Sequence, residues 1–333
     1  MSTISLPTRI RFMNPTQCFQ HLTQAALGHP TVLFLTEKDA ERLDLNPFIE
    51  AMKASGQVTW NKDVPSGSAK STCPESVKPY FIPEHALIVA IGSAATLDTA
   101  KRCAEGQKNT TLIGVPTNCD MISILSAPAF DQGLIVSDFA LRSIPSITLA
   151  EGMNALGCAT DAYWAKTSSR AVQCWALQSI RLIIRSLPKV LLNPDSVSDR
   201  QQLTYGSLLA AMAFRNSQPA VLTAFSAVLS AHSDIDPGLA RVLFLPNLLR
   251  HNLGALTNPE SLYEAFNIDN PEALGVWIEK TAQGLTSLKL SDYGLTDTDL
   301  DAIADRVVES EKHANNPVPL TLEHLKTILK LHL

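Results

Sequence analysis

Short apolar runs alternate with helical patterns over the first 147 residues of the chain. Five runs favour strands, at residues 31–36, 57–60, 86–91, 111–115 and 133–137, of which 57–60 is the weaker signal and 86–91 the strongest. Helical patterns lie between them at residues 39–54 and 96–105. Continuous apolar strands separated by helices are typical of a parallel sheet that is covered on both faces. The last run has a second interpretation, a hairpin with residues 123–129, and the pattern leaves both open.

Long helical patterns dominate the chain from residue 148 onward. They cover residues 149–167, 170–187, 199–215, 220–231, 238–252, 271–285, 297–311 and 321–331. We therefore predict two domains, an α/β domain with a Rossmann-like parallel sheet over residues 1–147 and an all-α domain over residues 148–333. Residues 61–80 are rich in Ser, Lys, Pro and Gly and are predicted to form a surface loop.

The composition is that of an ordinary globular protein. The 333 residues are 45% hydrophobic and 18% charged, with a net charge of −5. Because no basic face is visible, nucleic acid is not an expected partner. No apolar run reaches the roughly 18–20 residues of a membrane span and no signal-peptide pattern opens the chain, so we expect a cytoplasmic protein that does not contact membranes. The six cysteines show no metal-binding spacing and are expected to be reduced.

Two segments of the second half carry a resemblance to a known family. Residues 151–163, EGMNALGCATDAY, resemble the helix that reads Gly-Met-Asp-Ala-Leu-x-His-Ala-x-Glu-Ala-Tyr in iron-containing alcohol dehydrogenases. Residues 236–246, DPGLARVLFLP, resemble that family's Pro-His-Gly-Leu-Ala-Asn-Ala-x-Leu-Leu-Pro. The resemblance runs from about Ile10 to the C-terminus. It implies the dehydroquinate synthase-like fold, with an α/β half followed by an all-helical half.

The resemblance also shows where the family's metal ligands are expected. In relatives these ligands are one Asp and three His, and they hold a divalent ion that polarises the substrate oxygen. The matching residues here are Asn154, Cys158, Thr223 and Pro237. Since an amide is a poor ligand for iron or zinc and proline has no donor, a complete metal site is not expected. Cys158 with His232 and an aspartate remains an alternative zinc set.

A candidate cofactor site follows the strongest strand. The segment Gly92-Ser-Ala-Ala-Thr-Leu-Asp-Thr-Ala-Lys101 resembles the family's Gly-Gly-Gly-Ser-x-x-Asp-x-Ala-Lys. A pyrophosphate binds backbone N–H groups at a helix N-terminus, and small residues leave room for it. The alternative interpretation is a plain strand–turn–helix connection, and it stays open. The predicted cofactor-binding residues are Gly92, Ser93, Ala94, Asp98, Lys101, Thr117 and Glu37.

Two further features bear on the cofactor. Glu37 follows the first predicted strand, where a carboxylate accepts hydrogen bonds from a ribose hydroxyl and repels a 2′-phosphate, so NAD is favoured over NADP. Its alternative role is that of an ordinary residue in the first turn of a helix. Residues 119–124, CDMISI, replace the small-residue segment Ala-Gly-Thr-Gly-Ser-Glu of relatives, which predicts an altered cofactor geometry.

The function implied is that of a nicotinamide-dependent alcohol dehydrogenase or aldehyde reductase that acts on a small polar substrate without the usual metal. Its expected proton donors are Cys158, Asp161 and His232, and a homodimer is the expected assembly. Two alternatives come from other classes. One is a non-catalytic relative that binds a nucleotide or metabolite, which the missing ligands favour. The other is a metal-free lyase or sugar-phosphate enzyme on the same fold.

Overall fold

The computed structural model describes residues 4–56, 58–62, 82–141 and 143–333. The chain divides into two compact units. The first, here called the α/β unit, holds Leu6–Ser143 and Asp195–Gln201, and the second, the helical unit, holds Ile144–Pro194 and Gln202–Leu333. The division falls a few residues before the predicted boundary at 147. Of the predicted loop at residues 61–80, all but the first two residues lie outside the described part of the chain.

A parallel sheet forms the centre of the α/β unit, as the apolar runs predicted. Among the described residues its strands are β1 (Arg9–Phe12), β2 (Thr31–Phe34), β3 (Val58–Asn61), β4 (Leu87–Gly92), β5 (Thr111–Pro116) and β6 (Gln132–Ile135). Their order is β1-β6-β5-β4-β2-β3, and every neighbouring pair is parallel. Every residue of β2 and β4 is buried, which explains why these two strands are continuous apolar runs.

The hairpin interpretation of β6 is wrong. This strand pairs in parallel with β1 on one side and with β5 on the other. The segment proposed as its hairpin partner, residues 123–129, instead contains most of a short helix, α5 (Ile122–Leu125). β1 itself was not predicted, because its residues are half-buried or exposed and it lacks a continuous apolar run. Parallel pairing joins residues far apart in the chain, so local pattern carries no record of it.

Five helices accompany the described strands: α1 (Pro15–Ala26), α2 (Glu37–Arg42), α3 (Asn46–Ser55), α4 (Ala94–Ala104) and α5 (Ile122–Leu125). Helices α2 and α3 replace the single helix predicted at residues 39–54. The break follows from Asp44, whose φ of 51° is left-handed and ends α2. Helix α1 was not predicted, although Asn14 and Gln17 form a capping box at its start.

The described remainder of the chain is helical. Its helices are α6 (Pro145–Trp164), α7 (Arg170–Leu192), α8 (Val197–Arg215), α9 (Val221–His232), α10 (Pro237–Val242), α11 (Leu245–Asn252), α12 (Pro259–Phe266), α13 (Pro271–Ala282), α14 (Asp297–Glu309), α15 (Glu311–Ala314) and α16 (Leu322–Lys330). The helix predicted at 238–252 is two helices, α10 and α11, and α12 was missed. No helix in the described part of the chain combines the length and apolar character needed to cross a bilayer.

Helix α6 is the core of the helical unit, and two glycines bring its neighbours close. Gly152 lies under Leu187 of α7, whose Cδ1 atom would be 2.7 Å from a Cβ at position 152. Gly238 of α10 lies against the backbone of α6, where a Cβ would overlap the carbonyl oxygen of Ala150 and lie 3.0 Å from Cβ of Asn154. The sequence therefore places glycine where α10 meets α6.

Replacing Gly238 by Ala is expected to lower the free energy of unfolding by about 3 kcal/mol. The new Cβ would meet the backbone carbonyl group of Ala150, which cannot move aside as a flexible side chain can. Urea unfolding of the purified variant measures this change. Gly275→Ala is the matched control, since Gly275 lies inside α13 and a Cβ there would make only an ordinary contact, 3.6 Å from Pro246 Cγ. The control should be neutral or more stable by up to about 1 kcal/mol. Equal stability of the two variants would contradict the packing described for α10.

Candidate functional site

The carboxyl ends of β2 and β4 form the topological switch point of the sheet. From β2 the chain passes to β3 on one side, whereas from β4 it passes to β5 on the other. Ligands of open α/β sheets bind in the crevice outside such a point. Glu37 follows β2, Gly92 and Ser93 lie at the end of β4, and Thr117 follows β5. The fold therefore gathers these predicted cofactor residues along one edge of the sheet.

The first turn of α4 begins at this edge. Ser93 is its N-cap residue, but the side chain makes no capping hydrogen bond. Ala94 and Ala95 follow, and their small, buried side chains add little bulk beside the backbone N–H groups of the turn. A helix N-terminus of this kind suits a phosphate or another anion. The residues of this turn therefore fit the pyrophosphate of a dinucleotide.

Gly92 has a different role from the one its position suggests. A Cβ at this residue would lie 2.6 Å from Oγ1 of Thr96, so the space beside Gly92 is filled by the helix that follows. The carbonyl oxygen of Gly92 accepts a hydrogen bond from the backbone N–H of Thr117, at 3.0 Å. Gly92 is thus required by the turn itself, and a bulky substitution there would disturb folding as well as any ligand.

Lys101 is a buried cation, although the sequence suggested either a charge near the cofactor or a solvated helix residue. Its side-chain Nζ donates hydrogen bonds to the carbonyl oxygens of Ser123 and Ser126 and, at 2.8 Å, to Oγ of Ser126. The same ammonium lies 5.1 Å from the centre of the Phe130 ring. Lys101 therefore ties α4 to the segment that follows α5.

Asp98 and Asp120 are two carboxyl groups at the same end of the sheet. Burial raises the pKa of Asp120 to about 6, and the neighbouring Asp98 carboxylate also raises it. Burial likewise raises the pKa of Asp98, against the attraction of Lys101, whose Nζ is 3.8 Å from the carboxylate. Asp120 Oδ1 accepts a hydrogen bond from Ile122 N at 2.9 Å. Sequence reasoning treated residues 119–124 only as an obstacle and missed Asp120 as a group that titrates near neutrality.

Asp120 makes the stability of the α/β unit depend on pH. Because its pKa in the folded protein is raised from 3.8 to about 6, the folded state holds its proton more tightly than the unfolded state does. The stability that the protonated Asp120 side chain provides is present at low pH and is lost as the pH rises from about 4 to about 6. Relative to Asp120→Asn, the native chain should lose about 3 kcal/mol over this range. Urea unfolding at pH 4 and pH 7.5 tests this, and a difference that does not change with pH would contradict it.

The four positions at which the family resemblance predicts metal ligands lie on three helices of the helical unit. Asn154 and Cys158 are one turn apart on α6, with Cys158 Sγ 3.9 Å from Asn154 Oδ1. Thr223 lies in the first turn of α9, and Pro237 is the first residue of α10. Their side chains do not converge on an empty point, because a fifth residue lies between two of them.

That residue is Arg241 of α10, and its guanidinium joins Asn154 to Thr223. Arg241 Nε donates a hydrogen bond to Asn154 Oδ1 at 3.0 Å, and Nη1 donates one to Thr223 Oγ1 at 2.6 Å. Only 8% of Arg241 is exposed. A Cβ at Gly157 would lie 2.5 Å from Arg241 Cδ, so the bare backbone of α6 provides the space for the arginine side chain. The guanidinium of Arg241 therefore lies among the positions that the resemblance predicts to match the relatives' metal ligands.

Sequence reasoning missed Arg241, although two signals for it were present. The residue stands at the Asn of the pattern Pro-His-Gly-Leu-Ala-Asn-Ala, inside an otherwise apolar helix, LARVL. Gly157 stands at the variable position of the pattern on α6, and a glycine inside a helix usually has a packing reason. Attention to the four ligand positions alone hid both changes, because neither position is a ligand in relatives.

Asp161, one of the three predicted proton donors, is fully buried and anchors the start of α9. Its Oδ1 accepts hydrogen bonds from Leu222 N and Trp164 Nε1, at 3.1 and 3.2 Å. Its Oδ2 accepts them from Ala220 N, Thr223 N and Thr223 Oγ1, at 3.1, 2.9 and 2.6 Å. With both oxygens satisfied in this way, Asp161 orients Thr223, which in turn accepts from Arg241. These contacts favour a positioning role for Asp161 over proton transfer.

The other two predicted donors lie apart from each other. Cys158 is buried on α6 beside Asn154, whereas His232 is exposed at the end of α9. His232 Nδ1 is 2.8 Å from the carbonyl oxygen of Val228, and its Nε2 is 3.3 Å from Arg306 Nη1. No group of three His, Cys, Asp or Glu among the described residues is placed to hold a metal ion. The alternative zinc set of Cys158, His232 and an aspartate is not assembled there.

The donor set does not fit the family's metal ion. Asn154 Oδ1 and Thr223 Oγ1 accept from Arg241, and Thr223 also donates to Asp161. The carbonyl oxygen of Pro237 accepts from Ser226 Oγ at 2.7 Å. A divalent cation placed beside these groups would also face the guanidinium at short range, where like charges repel strongly in a buried setting.

Replacing Asp161 by Asn should lower the free energy of unfolding by about 3–5 kcal/mol, because an amide NH2 would face donors that now bind a carboxylate. Guanidinium chloride unfolding measures this loss. Asp236→Asn is the control, since Asp236 caps α10 through one hydrogen bond to Gly238 N at 2.7 Å and Asn is also a good cap. The control should lose less than about 1 kcal/mol. A small loss for Asp161→Asn would show that this carboxylate does not hold α9 in place.

A parallel α/β unit followed by a helical unit defines a class of proteins that includes nicotinamide-dependent dehydrogenases. Residues 148–333 match the model of the Fe-containing alcohol dehydrogenase family, C-terminal. The chain belongs to this family. It is 29% identical over 184 residues to the 1,3-propanediol dehydrogenase of Klebsiella pneumoniae, which is 52% of this chain and 47% of that protein. It is 26% identical over 260 residues to maleylacetate reductase 1 of Rhodococcus opacus, covering 73% and 71% of the two chains.

Solved structures show the same fold. A 1,3-propanediol oxidoreductase structure superposes with a TM-score of 0.83 at 19% identity, covering 100% of both chains. The sulfoacetaldehyde reductase of Bifidobacterium kashiwanohense, in complex with NAD+, has a TM-score of 0.83 at 17% identity, covering 100% of this chain and 98% of that one. The matched region spans about half the length of the 1,3-propanediol dehydrogenases that the chain resembles. The predicted fold is confirmed, and the roles predicted for individual site residues stay predictions.

Proposed function

We propose that this protein is an NAD-dependent alcohol dehydrogenase or aldehyde reductase that acts on a small polar substrate without the family's metal ion. One observation carries the proposal. Glu37, Ser93, Ala94 and Thr117 gather at the switch point of the sheet, where α4 begins. Membership of the family and the fold of a reductase solved with NAD+ support the same conclusion.

The bound dinucleotide would supply a hydride carrier, and the chain would hold its pyrophosphate and ribose. The first turn of α4 offers backbone N–H groups to the pyrophosphate. Glu37 is the first residue of α2 and forms an ion pair with Lys62, with 2.5 Å between Oε1 and Nζ. Both side chains of this pair are exposed, and the carboxylate lies near the end of β2, where it would accept from a ribose hydroxyl. We therefore propose NAD over NADP.

The proposed substrate is a small polar aldehyde or its alcohol. The chain's relatives include proteins named for propanediol, sulfoacetaldehyde and maleylacetate. Of the proposed proton donors, Cys158 lies next to Asn154 on α6 and so beside the Arg241 cluster. His232 lies at the exposed end of α9. These positions support Cys158 over His232 as a group near the substrate.

The test of this function is turnover by protein treated with EDTA. We expect NADH-dependent reduction of a panel of small aldehydes that includes 3-hydroxypropanal and sulfoacetaldehyde. The reaction is measured as the loss of NADH absorbance. NADPH should be used less efficiently than NADH. Protein that binds NADH yet reduces no member of the panel would favour the non-catalytic alternative.

The variant Ala95→Asp tests the cofactor position directly. A carboxylate in the first turn is compatible with the helix dipole, so α4 should fold, but the added charge should repel the pyrophosphate. We expect the Kd for NADH to rise at least about tenfold, from a repulsion of the order of 1.4 kcal/mol. Ala95→Asn is the isosteric control without charge and should bind nearly as the unmodified protein does. Fluorescence titration gives both values, and equal affinities for the two variants would place the dinucleotide elsewhere.

A further inference from the structure

We propose that the guanidinium of Arg241 takes the place of the family's metal ion and binds the reacting oxygen of the substrate. The inference deepens the proposed function and rests on it. Arg241 lies between Asn154 and Thr223, two of the positions where relatives carry metal ligands. Arginine stays charged under all ordinary conditions, so the site keeps a positive charge without any metal.

The hydrogen bonds of Arg241 fix two of its three nitrogens. Nε donates to Asn154, and Nη1 donates to Thr223, whose hydroxyl is held by Asp161. Nη2 forms no hydrogen bond with any described residue, and it is not among the fully enclosed atoms. The result is a nine-tenths buried cation whose Nη2 amino group is held in a fixed direction and is available to an oxygen atom.

Stability alone is a poor explanation for this arrangement. Buried charged groups can often be replaced by apolar residues of similar volume without loss of stability. This cation instead requires a glycine at 157 for its stem and a buried carboxylate, Asp161, behind its partner Thr223. The Phe214 ring, whose centre is 5.6 Å from Arg241 Cζ, adds a further favourable contact with the charge. An oxygen ligand would complete the hydrogen bonding of the guanidinium.

The chemistry follows from where charge develops. In the reductive direction the bound dinucleotide would supply a hydride, with its two electrons, to the carbonyl carbon. The π electrons of the C=O bond pass to the oxygen, and the nicotinamide is oxidised. Arg241 Nη2 would donate a hydrogen bond to that oxygen as its negative charge grows. Cys158, the proposed donor beside this cluster, would then give its thiol proton to the oxygen and would be reprotonated from solvent after the alcohol leaves. Fixed donors of this kind stabilise an oxyanion most strongly where water is excluded.

Two substitutions test this role by different means. Arg241→Gln removes the charge, and Gly157→Ala keeps every polar group but displaces the Arg241 stem, which would lie 2.5 Å from the new Cβ at its Cδ atom. Both should lower kcat/KM for aldehyde reduction by about 100-fold. Arg241→Ala should regain part of its kcat when guanidinium is added at millimolar concentration. Circular dichroism and urea unfolding show whether each variant is folded.

A binding measurement without turnover separates this inference from the proposed function. The side-chain nitrogen signals of Arg241 are followed by NMR in protein carrying labelled arginine, and Arg241→Lys assigns them. Sodium acetate serves as a non-reducible oxygen anion. We expect the Arg241 signals to shift and saturate as acetate is added, and the shift should be absent in Gly157→Ala.

Each result has one meaning. If the unmodified protein reduces aldehydes while folded Arg241→Gln and Gly157→Ala keep its kcat/KM, the role of Arg241 is overturned and the proposed function stands. If acetate shifts the Arg241 signals but no aldehyde is reduced, the proposed function fails and Arg241 stands as an oxygen-binding site. Arg241 signals that do not respond to acetate overturn the inference in either case.

Discussion

The helical unit depends on one carboxylate that has no contact with water. Asp161 is fully buried and receives hydrogen bonds from the backbone at the start of α9, from Thr223 Oγ1 and from Trp164. A buried charge is tolerated only when its lone pairs are satisfied, so these bonds fix where α9 begins. The hydroxyl of Thr223 is oriented as a consequence, and it then accepts from Arg241. Asp161 therefore determines the positions of Thr223 and Arg241, although Asp161 itself is too buried to contact a substrate.

The α/β unit shows a similar division between structural and ligand-binding groups. Lys101 donates hydrogen bonds to the carbonyl oxygens of Ser123 in α5 and of Ser126 just after it. Gly92, at the end of β4, leaves room for the side chain of Thr96 in α4. Both residues are needed for the turn that carries Ser93, Ala94 and Ala95. Residues that match a binding motif can thus support the site without touching the ligand. The backbone N–H groups can bind a phosphate only if the turn that holds them is correctly formed, and these residues form that turn.

Much of the fold was predictable from local pattern. Strands β2, β4 and β5 are buried continuous runs, and helices α6 to α9 have long periodic patterns, so their positions follow from the spacing of apolar residues. Elements without a strong pattern were missed, such as the half-exposed strand β1. The partners of β6 could not be decided from the local pattern, because parallel pairing is set by contacts between distant segments. At the site, the four altered ligand positions were recognised, whereas Arg241 was overlooked despite its signals, because its contacts form only where α10 meets α6 and α9.

The glycine at 157 has a consequence for the history of this chain. The arginine stem lies where any side chain at 157 would stand, so the two residues depend on each other. An arginine arriving first would have met a blocked helix face, while a glycine arriving first would only have weakened α6 slightly. With both present, a histidine or aspartate placed at one of the four predicted ligand positions would bring no metal, since the cation would still be in its place. Positions 157 and 241 therefore have to change together, because neither can be substituted alone without disturbing the contact between α6 and α10.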